Sequence, residues 1–503
     1  MRAAHRFGIR QTAIAIGLLL VYAGALPAQV GSMRVSVPSP TAASLGKFGD
    51  VPVNPYTGVP DISIPLFTVK GRTLELPITL RYHAGGIKVE EVGGWAGLGW
   101  TLEAGGAITR TVRGEADDLS GGYFSTGHVF YSDSNWYRPP FTLLQEIRDR
   151  VLDGEPDRFF FSFAGRSGQF VGGPTSTSAG DIEFRAVPAQ KLRIMPQLAP
   201  DLRSWTITTE DGTRYTFAAA DATFDIGIPS GRMENYNSAW HLTGIRAPGG
   251  DSITLYYTPY RVEYQPAFYR EVFSEVWPQP CVSDYAVTTR SEISVQRLDS
   301  IVSARHRVIF HVDLRSDALS LSGTQQEPRL KRISVLSADG DDLRHFDFTH
   351  DYDLGRLLLT SVTERPANTE TGDTTPLPPY TFTYDRNNQF PERTSFAMDH
   401  WGFYNGKIDN TTPIPSMVRM GSVLPGGNRD PDPTYMKVGS LTRITYPTGG
   451  YTDFIYEAND YGAVGQTASI PTGISLPQSI SLSVGPHEGT QTTTFTVGGT
   501  DTT

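Results

Sequence analysis

One phrase recurs along this chain: Leu, two residues, Ile, a glycine-containing turn, then apolar alternation that ends in Tyr. It reads Leu242-x-x-Ile245, Pro248-Gly249-Gly250, then Ile253-x-Leu255-Tyr256-Tyr257. It returns as Leu441-x-x-Ile444, Tyr446-Pro447-Thr448-Gly449-Gly450, then Phe454-x-Tyr456. Weaker echoes open at Leu298-x-x-Ile301 and at Leu330-x-x-Ile333, the second followed by Asp339-Gly340 and Phe346-x-Phe348. Another closes at Tyr380-x-Phe382-x-Tyr384. Each phrase reads as a strand, a tight turn and a returning strand. A lone hairpin cannot bury its apolar face, so repeated hairpins imply a sheet built by stacking neighbours.

Composition supports an all-β reading. The 51 Gly and 36 Pro supply turns, and 25 Phe, 23 Tyr and 7 Trp supply core. The first 28 residues read as a secretory signal: Arg2, Arg6 and Arg10, an apolar run from Thr12 to Ala25, and an Ala23-Gly24-Ala25 cleavage site. Loss of those three arginines leaves 40 Lys and Arg against 53 Asp and Glu, a net charge of −13. That balance argues against capture of nucleic acid or anionic lipid. No later segment is long and apolar enough to span a bilayer as a helix. Cys281 is the single cysteine, so an internal disulfide is excluded.

Residues 29 to 50 read as a linker. Leu74, Leu76, Ile78, Leu80 and Tyr82 alternate with polar residues and Pro77, a half-buried strand with Pro77 at an edge or bulge. Gly105-Gly106 is expected to form a hairpin turn between Trp100–Ala104 and Ala107–Val112. Phe159 to Phe163 returns through Gly165–Gly168 to Gln169–Val171. Its run of three Phe suggests a strand covered on both faces. Trp205 to Glu210 turns at Asp211-Gly212. Leu143, Leu144, Ile147 and Val151 give one helix, with Glu146 and Arg150 spaced to pair.

Several motifs together resemble secreted bacterial Rhs/YD-repeat proteins, Bacteroidota-like ones especially, over about Asn54 to Tyr461. They are Asn54-Pro55-Tyr56-Thr57-Gly58, Gly97-Leu98-Gly99-Trp100 with Gly105-Gly106, Asp399-His400-Trp401-Gly402-Phe403-Tyr404-Asn405-Gly406, and Tyr446-Pro447-Thr448-Gly449-Gly450. The resemblance implies an all-β shell of antiparallel hairpins around a hollow interior, with Gly97, Gly99, Trp100, Gly105, Gly106, Trp401, Gly402, Tyr446, Pro447, Gly449 and Gly450 as structural motif residues. With the composition, the expected division is a signal peptide (1–28), a linker (29–50), an N-terminal β leader domain (51–236), a YD-like hairpin repeat region (237–461) and the start of a truncated β domain or Thr-rich tail (462–503). Export through the N-terminal signal gives an expected secreted or cell-surface location. Longer family members enclose a variable C-terminal effector and carry an autocleavage motif of Asp-Pro-x-Gly type. Asp430-Pro431-Asp432-Pro433 lacks that context, so neither cleavage nor payload is carried over.

Candidate chemistry is sparse. Asp399 and His400 are adjacent, and neighbours in a strand point to opposite faces. His345 and His350 lie near Asp347, Asp351 and Asp353, a spacing that also suits polar strand ends. Asp339-Gly340-Asp341-Asp342 lacks the spaced ligands of a calcium loop and reads as an Asp-Gly turn. Trp95, Trp100, Tyr123, Trp136 and Tyr137 could form a sugar platform or fill the core. The expectation is a non-enzymatic scaffold without cofactor or metal. It is a shell segment of a polymorphic-toxin-like or adhesion protein, whose partners are cell-surface glycans or proteins, or an effector outside this chain. A secreted glycan-active enzyme or a carbohydrate-binding module is the alternative.

Overall fold

The computed structural model describes residues 58–126, 141–148, 152–174, 182–197, 202–226, 234–264, 268–274, 281–287, 290–319, 326–367, 376–419, 422–424, 426–458, 479–484 and 491–496. The signal peptide, the linker, Trp136, Tyr137, Arg150 and Val151 lie outside these residues. Cys281 is described as backbone only.

The described chain is mostly antiparallel β-sheet, as the hairpin phrases predict. A small sheet comes first: β1 (Asp61–Lys70), β2 (Glu75–His83) and β3 (Trp100–Glu103), in that order. Its alternation is clean, burying Ile62, Ile64, Leu76, Ile78, Leu80 and Tyr82. Pro77 pairs with Thr68 on β1, beyond the reach of β3, so β2 has a neighbour on one side only there.

The large sheet begins with β4 (Gly106–Thr111), β5 (Arg158–Phe163), β6 (Arg166–Pro174) and β7 (Ile182–Val187), each paired with the next. β8 (Arg193–Gln197), β9 (Ser204–Thr208), β10 (Arg214–Ile226) and β11 (Glu234–Arg246) follow, and β11 also pairs with β4. β12 (Ser252–Tyr264) pairs with β15 (Arg290–Ser303), which pairs back onto β10, closing the ring β10–β11–β12–β15. β13 (Phe268–Ser274) and β14 (Cys281–Val287) form a hairpin between them. The sheet continues through β16 (His306–Leu319), β17 (Gln326–Ser337), β18 (Asp342–Asp351), β19 (Leu358–Pro366) and β20 (Tyr380–Tyr384). β21 (Met417–Arg419) and β22 (Ser422–Leu424) make a short separate hairpin. β23 (Leu441–Thr445) then pairs with β20 and with β24 (Tyr451–Asp453). β25 (Ser479–Val484) and β26 (Gln491–Thr496) pair with each other. The sheet crosses residue 236 without a break, since β11 is bonded to both β10 and β4.

Among the described residues helices are few: a single turn, α1 (Tyr123–Thr126), and α2 (Phe141–Arg148) at the expected place. In α2, Leu143 is buried but Leu144 is exposed, so the apolar face is narrower than the spacing suggests.

Two local expectations are corrected. Gly105-Gly106 is not a hairpin turn: β3 pairs with β2, whereas β4 pairs with β5 and β11. The chain crosses here from the small sheet to the large one. Gly105 has φ +155°, and a Cβ on Gly106 would lie 2.6 Å from the Ser162 carbonyl, so close backbone approach explains the glycines. The Phe159–Phe161 run is not covered on both faces. Phe159, Phe161 and Phe163 are buried while Phe160 faces outward. The turn to β6 is Ala164-Gly165, both with positive φ, which is the primed geometry of a two-residue hairpin.

Beneath β4–β11 lies an aromatic core. Phe159, Phe170, Trp205 and Trp240 are fully buried, with ring centroids 5.0–6.1 Å apart in successive contacts. Turn chemistry repeats elsewhere in the sheet. Residues 209–213, 247–251, 337–341 and 446–450 share one five-residue turn, in which the fourth residue donates to the carbonyl of the first. That fourth residue is Gly212, Gly250, Gly340 or Gly449, with φ between +80° and +95°. The Pro-x-Gly-Gly and Asp-Gly signals are therefore one device, and Asp339-Gly340 is a turn.

Candidate functional site

The recurring Leu sits at a bulge. Leu242 pairs with Phe217 and Gly244 with Thr216, so Thr243 is left over. The same skip follows Leu298, Leu330 and Leu441, leaving Asp299, Lys331 and Thr442 unpaired in the ladder. A fifth skip follows Leu359, leaving Thr360. The sequence phrase Leu359-Thr360-Ser361-Val362 belongs to this set, and reading for Leu-x-x-Ile alone misses it. Where the extra residue is Thr, its hydroxyl donates to the carbonyl across the strand: Thr243 to Thr216 (3.1 Å), Thr360 to Thr349 (3.0 Å) and Thr442 to Thr383 (3.0 Å). A bulge frees one rung of the ladder, and these hydroxyls replace part of what is lost.

The bulges line up in a row across the sheet. The residue opposite each Leu belongs to the preceding unit: Tyr257 opposite Leu298, Val312 opposite Leu330, His350 opposite Leu359 and Tyr384 opposite Leu441. Three tyrosines on this row close their own unit. Tyr257 donates to the Leu242 carbonyl at 2.9 Å, Tyr384 to Leu359 at 2.6 Å and Tyr456 to Leu441 at 2.9 Å. The repeated terminal Tyr is thus a hydroxyl clasp on the Leu that opens the phrase. Burial pushes these phenols well above their ordinary pKa, so each stays a donor at any physiological pH.

The middle of the row lacks tyrosine, and there the Gly-Leu-Gly-Trp segment docks. Leu330 N–H donates to the Trp95 carbonyl at 2.8 Å, and Leu98 N–H donates to Leu357 at 2.7 Å. His350 Nε2 donates to the Ala96 carbonyl at 3.1 Å. Gly97 has φ +125°, and a Cβ there would lie 3.1 Å from Leu359 N. Gly99 has φ +74° and packs under the Tyr82 ring. Trp100 is buried against Phe382, and its indole N–H donates to Tyr384 Oη at 2.8 Å. Leu441 N–H donates to Tyr82 Oη at 2.9 Å. Residues 82–100 therefore run along the row and take up its backbone groups.

Ion pairs hold this segment from below. Arg315 is buried, grips Asp317 with two nitrogens (2.7 and 2.8 Å) and donates to the Gly93 carbonyl at 2.6 Å. Asp317 also accepts from Leu357 N–H and Arg393. Arg356 donates to Val89 and Pro391 carbonyls. These contacts hold the Asp317 carboxyl below its usual range despite burial.

The second motif meets the same segment. Val89 N–H donates to the Gly402 carbonyl at 2.9 Å, and Lys88 bridges to Phe403. Asp399 is buried, and its carboxylate accepts from the Trp401 and Phe403 amides at 2.8 and 3.0 Å. Arg429 grips its carbonyl. His400 points outward with Trp401, whose rings meet edge to face, and Trp401 is 60% exposed. The two candidate catalytic side chains do not converge. Neither do the others: His345 bonds Ser334, His350 bonds Ala96, Asp347 is held by Arg332 and Arg365, and Asp351 and Asp353 by Arg386. Among the described residues no cluster of metal-ligating side chains is assembled. Trp100 is core rather than platform, and Trp95 packs on Phe310. Tyr446, Pro447, Gly449 and Gly450 form the β23–β24 turn.

One charged cluster is not evident from the sequence. The Arg110 side chain is fully buried between Asp118 and Asp157, each at 2.6 Å. Asp117 and Asp157 accept each other's backbone amides at 3.1 Å. Burial raises both carboxyls, and burial also pushes Asp153 up to about 6. The signal available was the acidic run Glu115-Ala116-Asp117-Asp118 beside Arg110 and Arg113.

No family model and no curated protein matches this chain. Among solved structures it is similar to a chain of the TcdB2-TccC3-TEV crystal structure, at 13% identity and a TM-score of 0.38, over 69% of this chain and 17% of that one. The Photorhabdus luminescens Tc holotoxin pore gives 13% identity and a TM-score of 0.36, over 67% and 16%. The N-terminal domain of the effector protein SpvB from Salmonella typhimurium gives 11% identity and a TM-score of 0.31, over 61% and 99%. The chain thus spans about a sixth of the Tc chains it matches.

Proposed function

We propose that this chain is an exported, non-enzymatic β-scaffold of the Rhs/YD-repeat type, a wall segment of a toxin-like shell or cell-surface protein. The observation that carries this reading is the bulge row: the motif residues are spent on building one continuous sheet and docking a leader segment to it. Asp399, the best sequence candidate for chemistry, uses its carboxylate to cap its own turn. The partner of such a wall would be an effector outside this chain, or a surface glycan or protein.

The test is a screen of purified residues 29 to 503 against glycan, peptide and ester substrates, with and without EDTA. The scaffold reading expects no turnover, and it expects Asp399→Ala to loosen the fold. Turnover abolished by Asp399→Ala or His400→Ala, with circular dichroism unchanged, overturns it. Export is tested separately: N-terminal sequencing of secreted protein should start between Leu26 and Gly31.

A carbohydrate-binding reading rests on one observation, the exposed Trp401 on a turn pinned by Asp399 and Arg429. A rigid, exposed indole is the kind of group that stacks on a sugar face. Glycan retention lost in Trp401→Ala would support it.

A further inference from the structure

The row of bulges carries tyrosine at three of its clasp positions and histidine at one. His350 pairs with Leu359 where two other units place Tyr257 and Tyr384, yet it bonds the Ala96 carbonyl of the docked segment. We propose that His350 is an acid-sensitive clasp: its protonation weakens the hold of the sheet on residues Gly93–Trp100 and lets that segment open.

A carbonyl acceptor forces Nε2 to carry the proton in the neutral ring, so the bond is complete without a charge. Protonation would not break that bond; it would place a cation where cations already crowd. Arg315 and Arg329, on β16 and β17, both disfavour a second charge there. The carboxylate in range, Asp317, already holds Arg315, Arg393 and Leu357 N–H. Glu327 leans on Arg315 at 3.6 Å. On the side of the docked segment, residues Gly93 to Trp100 carry no charge. The Ala96 carbonyl and Asp317 therefore offset an imidazolium only in part. Burial, with the two arginines, holds His350 down at about 4 against an ordinary 6.5.

The sign follows from linkage. An opened segment exposes an ordinary imidazole, which binds a proton before the closed one does. Closure is fully favoured above about pH 6.5 and is progressively lost as pH falls towards 4. The whole difference corresponds to as much as about a 300-fold shift between closed and open forms.

The test is hydrogen exchange of the full chain between pH 7 and 4, read at the amides of Gly97 and Leu98 and compared at each pH with His350→Gln. Glutamine keeps a donor and cannot be protonated. The expected result is that, below pH 6, wild type loses protection at these amides at least tenfold more than the variant. The aromatic core amides of β5 and β10 should not diverge. Equal profiles in the two proteins overturn the proposal. Should His350→Gln fail to fold, NMR titration of the His350 ring in wild type decides: an apparent pKa at or above 6.5 overturns the proposal, and one well below it, with loss of Leu98 protection on the same curve, supports it.

Discussion

Two regions of the same row solve one problem differently. At its ends, Leu242, Leu359 and Leu441 are clasped by a tyrosine 15, 25 and 15 residues further along the chain. In its middle, Val312 and His350 take the tyrosine positions, and the backbone groups are met by Trp95, Ala96 and Leu98, with the His350–Ala96 pair 254 residues apart. A clasp from the returning strand of the same hairpin closes with that hairpin. A clasp from a distant segment closes only when the leader has docked, and its loop-closure entropy is met late. The difference shows that the leader is a structural member of the repeat array. The middle units depend on it, whereas the end units carry their own closure.

The sharpest way to break the comparison is Trp100→Ala. Trp100 joins the leader to Tyr384 and packs against Tyr82 and Phe382, so both kinds of clasp lose a partner. Loss of a buried indole costs about 3–5 kcal/mol. Chemical denaturation should show that loss, and a change under about 1 kcal/mol would mean the leader is dispensable. Next in size, Gly97→Val strains the docked segment where it meets Leu330 and Leu359. Valine adopts positive φ badly, at about 1–3 kcal/mol, and its Cβ would crowd Leu359 N. Hydrogen exchange should rise around Leu330 and Leu359 while Tyr257 and its hairpin stay protected.

Tyrosine-to-phenylalanine changes probe the ends. Each removes one hydroxyl and leaves a buried carbonyl unmet, at about 1–3 kcal/mol. Tyr384→Phe should cost most, because the Trp100 N–H loses its acceptor as well. Tyr257→Phe and Tyr456→Phe should be smaller and similar to each other. Equal costs at all three would show that the Trp100 contact adds nothing.

How far this was legible in sequence follows the range of the contacts. The hairpins, the β2 alternation and the glycine turns were readable, because each depends on neighbouring residues. The bulges were not, since a bulge exists only relative to a partner strand. The Leu359 unit stayed hidden because the long connection between β19 and β20 moves its tyrosine from 15 to 25 residues away. Gly105-Gly106 misled because the dipeptide reports backbone freedom, which a crossover between sheets uses as well as a turn does. The Arg110 cluster was opaque because nothing in an acidic run says whether it faces water.

The smallest expected effect separates the two regions by pH. Asp251 ends the turn of the first repeat, in the position that Gly450 occupies in the last. Its carboxylate accepts from Thr73 N–H (2.7 Å), Leu74 N–H (2.9 Å) and Thr73 Oγ1 (3.2 Å), and so pins the β1–β2 turn to the sheet. Those bonds favour the charged form and hold Asp251 down at about 2. A depressed carboxyl contributes stability that is complete above its ordinary pKa, near 4, and is lost as pH falls from about 4 to 2. The His350 window lies above this one, from 6.5 down to 4, so the two can be read on one titration. Asparagine keeps an acceptor but cannot titrate. Urea midpoints of Asp251→Asn and wild type should therefore differ at neutral pH and converge between pH 4 and 2. Curves that stay parallel through that range would show that the carboxylate charge contributes nothing at this turn, and that the leader is held there by packing alone.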